Sequence, residues 1–411
     1  MSDRKMLHLN GLRGVAALMV VLSHYTLSFY PALHTGNPSD VYNSFELFVS
    51  ASPLNVLYNG SFAVFIFFIL SGFVLSYKYW RLEHYTFNDY LGNIIKRYIR
   101  LNIPIAVSII LAFTLLALGL FYNTNANEIA NSLGWLKGIY NFSSDSLEAL
   151  KEAFYGVVFQ GKQNYNLILW TLKYEFYGSV MIYSFMLVLR KTNIRYAIYP
   201  LIFVLLWNSY YLAFFLGLLL SDLHSKDLLK IKNRIALFLI FLLALFFGSY
   251  PWREQFGAPT RLYGFLKLDF LGVNSYYEFY HTVGAFLLLI CALNSSYLKR
   301  LLSSRICLFL GEISFSLYLL HLLMLCSLSS LMMHYLTGQL SYNISFVLMF
   351  TISMFLLFLI SYLYYRFVDL LGIKSASIVV KRFENLINKE DIASTLPYQS
   401  RRLDNTKNLK L

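Results

Sequence analysis

Apolar residues in this chain come in long unbroken runs rather than in the spaced patterns of water-soluble elements. Polar clusters bound ten such runs, at about 9–31, 60–78, 101–122, 167–189, 196–208, 210–223, 235–250, 274–293, 306–335 and 342–366. A helix needs about 20 predominantly apolar residues to cross the hydrocarbon core of a bilayer. Only helices and closed barrels can satisfy their backbone hydrogen bonds there. The pattern predicts an all-α, polytopic integral membrane protein with about ten transmembrane helices. The fifth and sixth runs fall short of a full crossing and meet at a tight turn at Asn208–Ser209.

The remaining segments read differently. Loops 32–59 and 123–166 are polar, carry turn residues such as Gly36, Asn37 and Pro38, and are expected on the outer side. Segment 251–273 mixes aromatics with charge and is expected at the outer interface. From 374 onward Lys, Asn, Ser and Glu intermingle, which predicts a short helix followed by disorder. The chain thus divides into a membrane-embedded domain over 1–370 and a cytoplasmic tail over 371–411, with no internal repeat and no separate soluble catalytic domain.

Composition agrees with this division. The chain is 58% hydrophobic and 13% charged, whereas soluble domains run nearer half apolar and a quarter charged. A net charge of +13 would suggest nucleic acid for a soluble protein. Here the basic residues flank apolar runs, so their partner is the lipid bilayer and no nucleic acid is expected. With the N-terminus inside, 26 Lys and Arg fall on the cytoplasmic side and six on the opposite side. That asymmetry predicts an even number of crossings with both termini cytoplasmic. The membrane itself is expected to be a bacterial plasma (inner) membrane. Arg4 and Lys5 ahead of an apolar run resemble a signal peptide. The run carries Arg13 and His24 and has no small-residue cleavage site, so a retained first span is expected. Cys291, Cys307 and Cys326 lie in apolar segments without a C-x-x-C spacing and read as small buried hydrophobes, with no metal site.

Ionisable residues inside the spans carry the chemistry, because each costs about 2.5–3.5 kcal/mol to insert. Among them stand Arg13, His24, Lys173, Glu175, Glu312 and His321. Any one alone is consistent with packing or snorkelling; several converging at one depth point to a reaction. Arg13 precedes His24 by eleven residues, which is about 16 Å of helix and nearly the same face. One helix therefore presents a cation near the cytoplasm and a base deep in the membrane.

The stretch Asn10-Gly11-Leu12-Arg13-Gly14 through His24 has the form N-G-L-R-G-x9-H. It resembles the opening of the acyltransferase 3 family, membrane O-acyltransferases with an Arg-x10-His pattern in the first helix. Further signatures follow in order: Phe67-Phe68-Ile69-Leu70-Ser71-Gly72-Phe73, the basic loop Lys96-Arg97-Tyr98-Ile99-Arg100 leading to Pro104, Leu169-Trp170-Thr171-Leu172-Lys173-Tyr174-Glu175, and Leu310-Gly311-Glu312-Ile313-Ser314 through Tyr318 and His321. The resemblance spans roughly residues 7–370.

It implies transfer of an acyl group, acetyl or another short chain, from acyl-CoA to a hydroxyl of a cell-surface or lipid-linked carbohydrate. Acyl-CoA is then a co-substrate, the carbohydrate or glycolipid the acceptor, and no cofactor is bound permanently. Such transfer needs a base for the hydroxyl and donors for the oxyanion. His24 is the expected base, with Glu175 orienting its imidazole in the manner of a triad carboxylate. His321 and Tyr318 are expected to donate to the thioester carbonyl. Arg13, Lys96, Arg97 and Arg100 suit the phosphates of CoA, although positive-inside topology alone would place the same charges. Gly11, Gly14 and Gly72 are expected to allow close helix packing. Ser71 is a candidate for acylation with no adjacent base visible in the sequence. The competing reading is a proton-coupled small-solute transporter working through His24 and Glu175. It would call for broken helices repeated in both halves, and the short fifth and sixth runs have no counterpart in the first half.

Overall fold

The computed structural model describes residues 6–130, 134–251, 260–266 and 276–387. Among these the chain is helical, without strands. The principal helices are α1 (Leu7–Phe29), α2 (Gly60–Tyr77), α3 (Phe87–Ala117), α4 (Ser146–Lys151, continued as a π-helix over Glu152–Gln160), α5 (Trp170–Leu189), α6 (Arg195–Leu206), α7 (Tyr211–Ser225), α8 (Arg234–Gly248), α9 (Tyr276–Asn294), α10 (Arg305–Thr337) and α11 (Tyr342–Ile387). Every predicted apolar run coincides with one of them. Among the described residues six helices are long and apolar enough to cross a membrane: α1, α2 (through Arg81), α3, α9, α10 and α11. α5 has 20 residues, while α6, α7 and α8 have 12, 15 and 15. Most of segment 251–273, and the tail beyond residue 387, lie outside the described residues.

Two departures from the sequence reading matter for the site. The basic residues Lys96, Arg97 and Arg100 do not lie in a loop. Thr86 and Asp89 form a reciprocal capping box that starts α3 at Phe87, so these cations sit on the helix with Pro104 further along it. Near its start α3 lies antiparallel to the end of α11, with Gly92 against Val380 and Gly372 against Arg100 and Pro104.

The second departure is α4, expected within a polar outer loop. It descends beside α3 and α5 instead. The Tyr98 hydroxyl donates to the Phe154 carbonyl at 2.5 Å. The Phe159 ring sits 5.7 Å from both Tyr98 and Phe176. The outward face of α4 is apolar: Leu147, Leu150, Phe154 and Tyr155 are all about half exposed. An exposed apolar face of this kind suits hydrocarbon better than water. At its end Gly161 takes a left-handed conformation with φ 74° and the chain doubles back. The Tyr165 backbone N–H then donates to the Glu152 carboxylate at 3.0 Å.

The site is positioned by α1 and α10, which run parallel and touch through backbone. A Cβ added at Gly14 would run into the Gly311 nitrogen, and one at Gly311 into the Asn10 carbonyl. Such close crossings favour small residues where helices associate in lipid. His24 and His321 each lie ten residues beyond one of these glycines, about 15 Å further along either helix.

Candidate active site

The crossing of α1 and α10 delivers two imidazoles to each other. His24 Nδ1 and His321 Nε2 are 2.9 Å apart. His321 is fully buried, while His24 is half-buried. Their protonation follows from the acceptors around them. His321 Nδ1 lies 2.7 Å from the Tyr318 carbonyl and 3.2 Å from that of Leu317. A carbonyl can only accept, so Nδ1 carries the proton and Nε2 of the neutral ring is an acceptor. His24 Nδ1 must then donate to it, which leaves the lone pair of His24 on Nε2. The tautomers are assigned from this network. A carbonyl, a histidine and a second histidine thus fix one free base. The indole of Trp135 stacks on the His24 ring, with centroids 5.6 Å apart and planes 12° apart.

Tyr318 is not available to a substrate carbonyl. Its hydroxyl donates to the Ile168 carbonyl at 2.6 Å and lies 2.7 Å from Thr171 Oγ1. One hydroxyl proton spent on a buried carbonyl cannot also hold an oxyanion. Both donors expected at the carbonyl are therefore committed elsewhere, since His321 uses its N–H on the backbone. Tyr318 instead joins α10 to the start of α5.

The structure also does not bring Glu175 to His24. Thr171 and Glu175 are one turn apart on α5, and Glu175 lies on the side toward Arg13. Its Oε1 pairs with Arg97 and accepts from Ser71 Oγ at 2.5 Å. The carboxylate found its cation at another depth, because a charge this enclosed needs a formal partner more than a neutral imidazole does. The Arg97 and Glu175 side chains are only 11% and 14% exposed. Ser71 therefore does have a carboxylate beside it, a neighbour the sequence did not reveal.

A basic cluster surrounds this ion pair. Arg13 interacts electrostatically with Glu175 and Arg97, and Arg100 with Arg97, Arg13 and Asp369. Asp369 is anchored by Ser316 Oγ at 2.7 Å. Arg100 and Lys96 are exposed, while Arg13 and Arg97 are partly enclosed. The Arg97 Nε and Asn102 Oδ1 atoms are buried with no protein partner. The site has two tiers, a histidine pair above and an arginine cluster below, about 16 Å apart along α1.

An acyltransferase domain family matches residues 6–366, nearly the whole chain. The chain belongs to the acyltransferase 3 family. Two curated relatives agree in activity class. The acyltransferase is 27% identical over 257 residues to the O-acetyltransferase PaAT-1 of Phomopsis amygdali, which covers 54% of this chain and 50% of the relative. It is 22% identical over 391 residues to Acyltransferase R4 of Phoma sp., covering 78% and 82% of the two chains. The chain thus spans half the length of the first relative and most of the second. No solved structure matches it significantly.

Sequence reasoning missed Trp135, which sits in a segment that reads only as loop. It also missed the pair formed by Arg195 and Asp222, with Nε and Oδ2 3.0 Å apart. A further node was not foreseen, in which the Asn59 side chain and the His281 ring meet at the Tyr250 carbonyl. Asn59 caps the start of α2 and gives no spacing signal, whereas His281 is an imidazole within the apolar run 274–293 that the reading passed over.

Proposed function

We propose that this acyltransferase moves a short acyl group, acetyl first among the candidates, from acyl-CoA to a hydroxyl of a cell-surface or lipid-linked carbohydrate. It does so in a plasma membrane, with both termini cytoplasmic. CoA phosphates bind among Arg13, Arg97, Arg100 and Lys96, where guanidinium groups offer paired donors. Glu175 serves as a positioning residue for Arg97. The pantetheine arm then extends along α1, and its length is comparable to the ~16 Å separating the two tiers.

At the upper tier His24 Nε2 takes the proton of the acceptor hydroxyl as its oxygen attacks the thioester carbonyl. The tetrahedral intermediate collapses with cleavage of the C–S bond, and His24 returns the proton to the leaving sulfur. His321 acts as a positioning residue: it holds the His24 ring by its Nδ1–H and shares the charge of the imidazolium. The observation that supports this reading is the 2.9 Å bond between the rings together with the Tyr318 carbonyl on His321.

The test uses inverted membrane vesicles from cells that make the protein, with [14C]acetyl-CoA added outside. Label should enter the endogenous glycan or glycolipid fraction in wild type and not in His24→Ala. Label that stays in CoA, or that appears equally in His24→Ala, would contradict the assignment.

A further inference from the structure

The stretch 123–166 reads as an outer loop, yet within it Trp135 places an aromatic ring on the proposed base. Trp135 stands in a short helix, Trp135–Gly138, that follows Gly134 in a left-handed conformation with φ 74°. Its indole lies nearly parallel to the His24 imidazole at 5.6 Å. This placement is held from both ends. The buried Asn123 amide donates to the carbonyls of Leu136 and Ile139, both at 2.7 Å, and so ties the Trp135 turn to the start of the segment. The Tyr122 backbone N–H donates to the Cys326 carbonyl at 2.8 Å.

Cys326 belongs to a π-helical turn, Leu325–Ser329, that begins four residues after His321 on α10. A π-turn lets a carbonyl turn away from the regular helical ladder, and here one accepts a bond from outside. The helix that supplies His321 thus also anchors the segment that supplies Trp135. Phe121 stacks on Tyr140 at 3.7 Å across the same segment. Tyr140 is held at φ 55°, a conformation uncommon for a residue with a side chain.

We propose that Trp135 is a positioning residue of the transfer reaction, holding the His24 ring in its paired orientation and stabilising the imidazolium formed as the acceptor proton arrives. The inference rests on His24 being the base. The indole face attracts a cation within about 6 Å, and the attraction strengthens when water is excluded. The neutral ground state gains less, so the effect falls on the transition state and on kcat rather than on donor binding. Asn123 acts through Trp135 by fixing its turn.

The experiment compares Trp135→Leu, Trp135→Phe, Asn123→Ala, the Asn123→Ala/Trp135→Leu double variant and His24→Gln in vesicles supplied with [14C]acetyl-CoA. Trp135→Leu should lower kcat about 3- to 30-fold while KM for acetyl-CoA stays at the wild-type value. Trp135→Phe should recover most of the loss, because it keeps an aromatic face. Asn123→Ala should lower kcat, and adding it to Trp135→Leu should cost little more, since coupled residues are not additive. Wild-type kcat in Trp135→Leu, with His24→Gln inactive, would overturn the role of Trp135 and leave the base intact. An active His24→Gln would overturn both. Losses that multiply in the double variant, or that appear in KM, would mean a merely structural loop.

Discussion

At the residue scale the enclosed Arg97–Glu175 pair governs how the donor tier can be tested. Removing one partner of a buried ion pair leaves the other charge stranded, at a cost of about 3–5 kcal/mol. Arg97→Gln should therefore lower the thermal unfolding temperature in detergent, and Glu175→Gln should do the same. The double variant should regain most of that stability while still binding acetyl-CoA weakly. A double variant with wild-type donor affinity would reduce the cluster to a topology signal. Arg100→Gln probes the same tier from the exposed side, although its loss also removes the cation that faces the buried Asp369 carboxylate, so some loss of stability should accompany weaker donor binding. Tyr318 invites a different expectation. Its hydroxyl satisfies the Ile168 carbonyl, so Tyr318→Phe should cost about 1–3 kcal/mol of stability. The effect on kcat should be smaller than that of His321→Ala, measured on the folded fraction.

At the scale of elements the central feature is the parallel contact of α1 and α10. The histidines meet because both helices carry a glycine ten residues earlier at the point of closest approach. Gly14→Val should push the helices apart by forcing a side chain against the Gly311 backbone. Activity should fall even though no substrate-facing atom has changed, and cross-linking between His24→Cys and His321→Cys should become less efficient than in the Gly14 background. Unchanged cross-linking yield would mean the glycines are not what sets the pair.

Much of this was readable in the chain and some was not. Arg13, His24, Glu175 and His321 declare themselves because charge and imidazole are rare within apolar runs. Their pairing was not legible. The sequence suggested a carboxylate for His24, while the fold supplies a second imidazole and gives Glu175 to Arg97. Helix direction and depth decide that choice, and a motif fixes neither. Trp135 was invisible for a related reason: a tryptophan in a loop looks the same whether it meets lipid or a catalytic ring.

At the scale of the whole molecule the ten predicted runs all became helices, since a run of apolar residues that cannot satisfy its backbone otherwise must coil. Polarity reads α4 as loop where the chain is helical, with Glu148, Lys151 and Lys162 beside an apolar face half exposed on the bundle. A spin label at Tyr155→Cys should be quenched by oxygen, which partitions into hydrocarbon, more than by a water-soluble nickel chelate. The reverse order would return α4 to an aqueous loop. Impermeant thiol reagents should label Ser143→Cys in intact cells and spare Lys96→Cys. Labelling of Lys96→Cys from outside would overturn the cytoplasmic placement of the arginine tier.

The account as a whole depends on His24 Nε2 as the base that activates the acceptor. The most direct measurement is label transfer from [14C]acetyl-CoA by the His24→Gln variant, alongside its acetyl-CoA affinity. Glutamine keeps a hydrogen-bonding group of similar reach but cannot take the proton. Transfer should fall about 10²- to 10⁴-fold, the usual contribution of a positioned base, with donor affinity unchanged because the arginine tier is intact. Transfer at the wild-type rate in His24→Gln would contradict the account and leave the histidine pair a packing feature of two closely crossed helices.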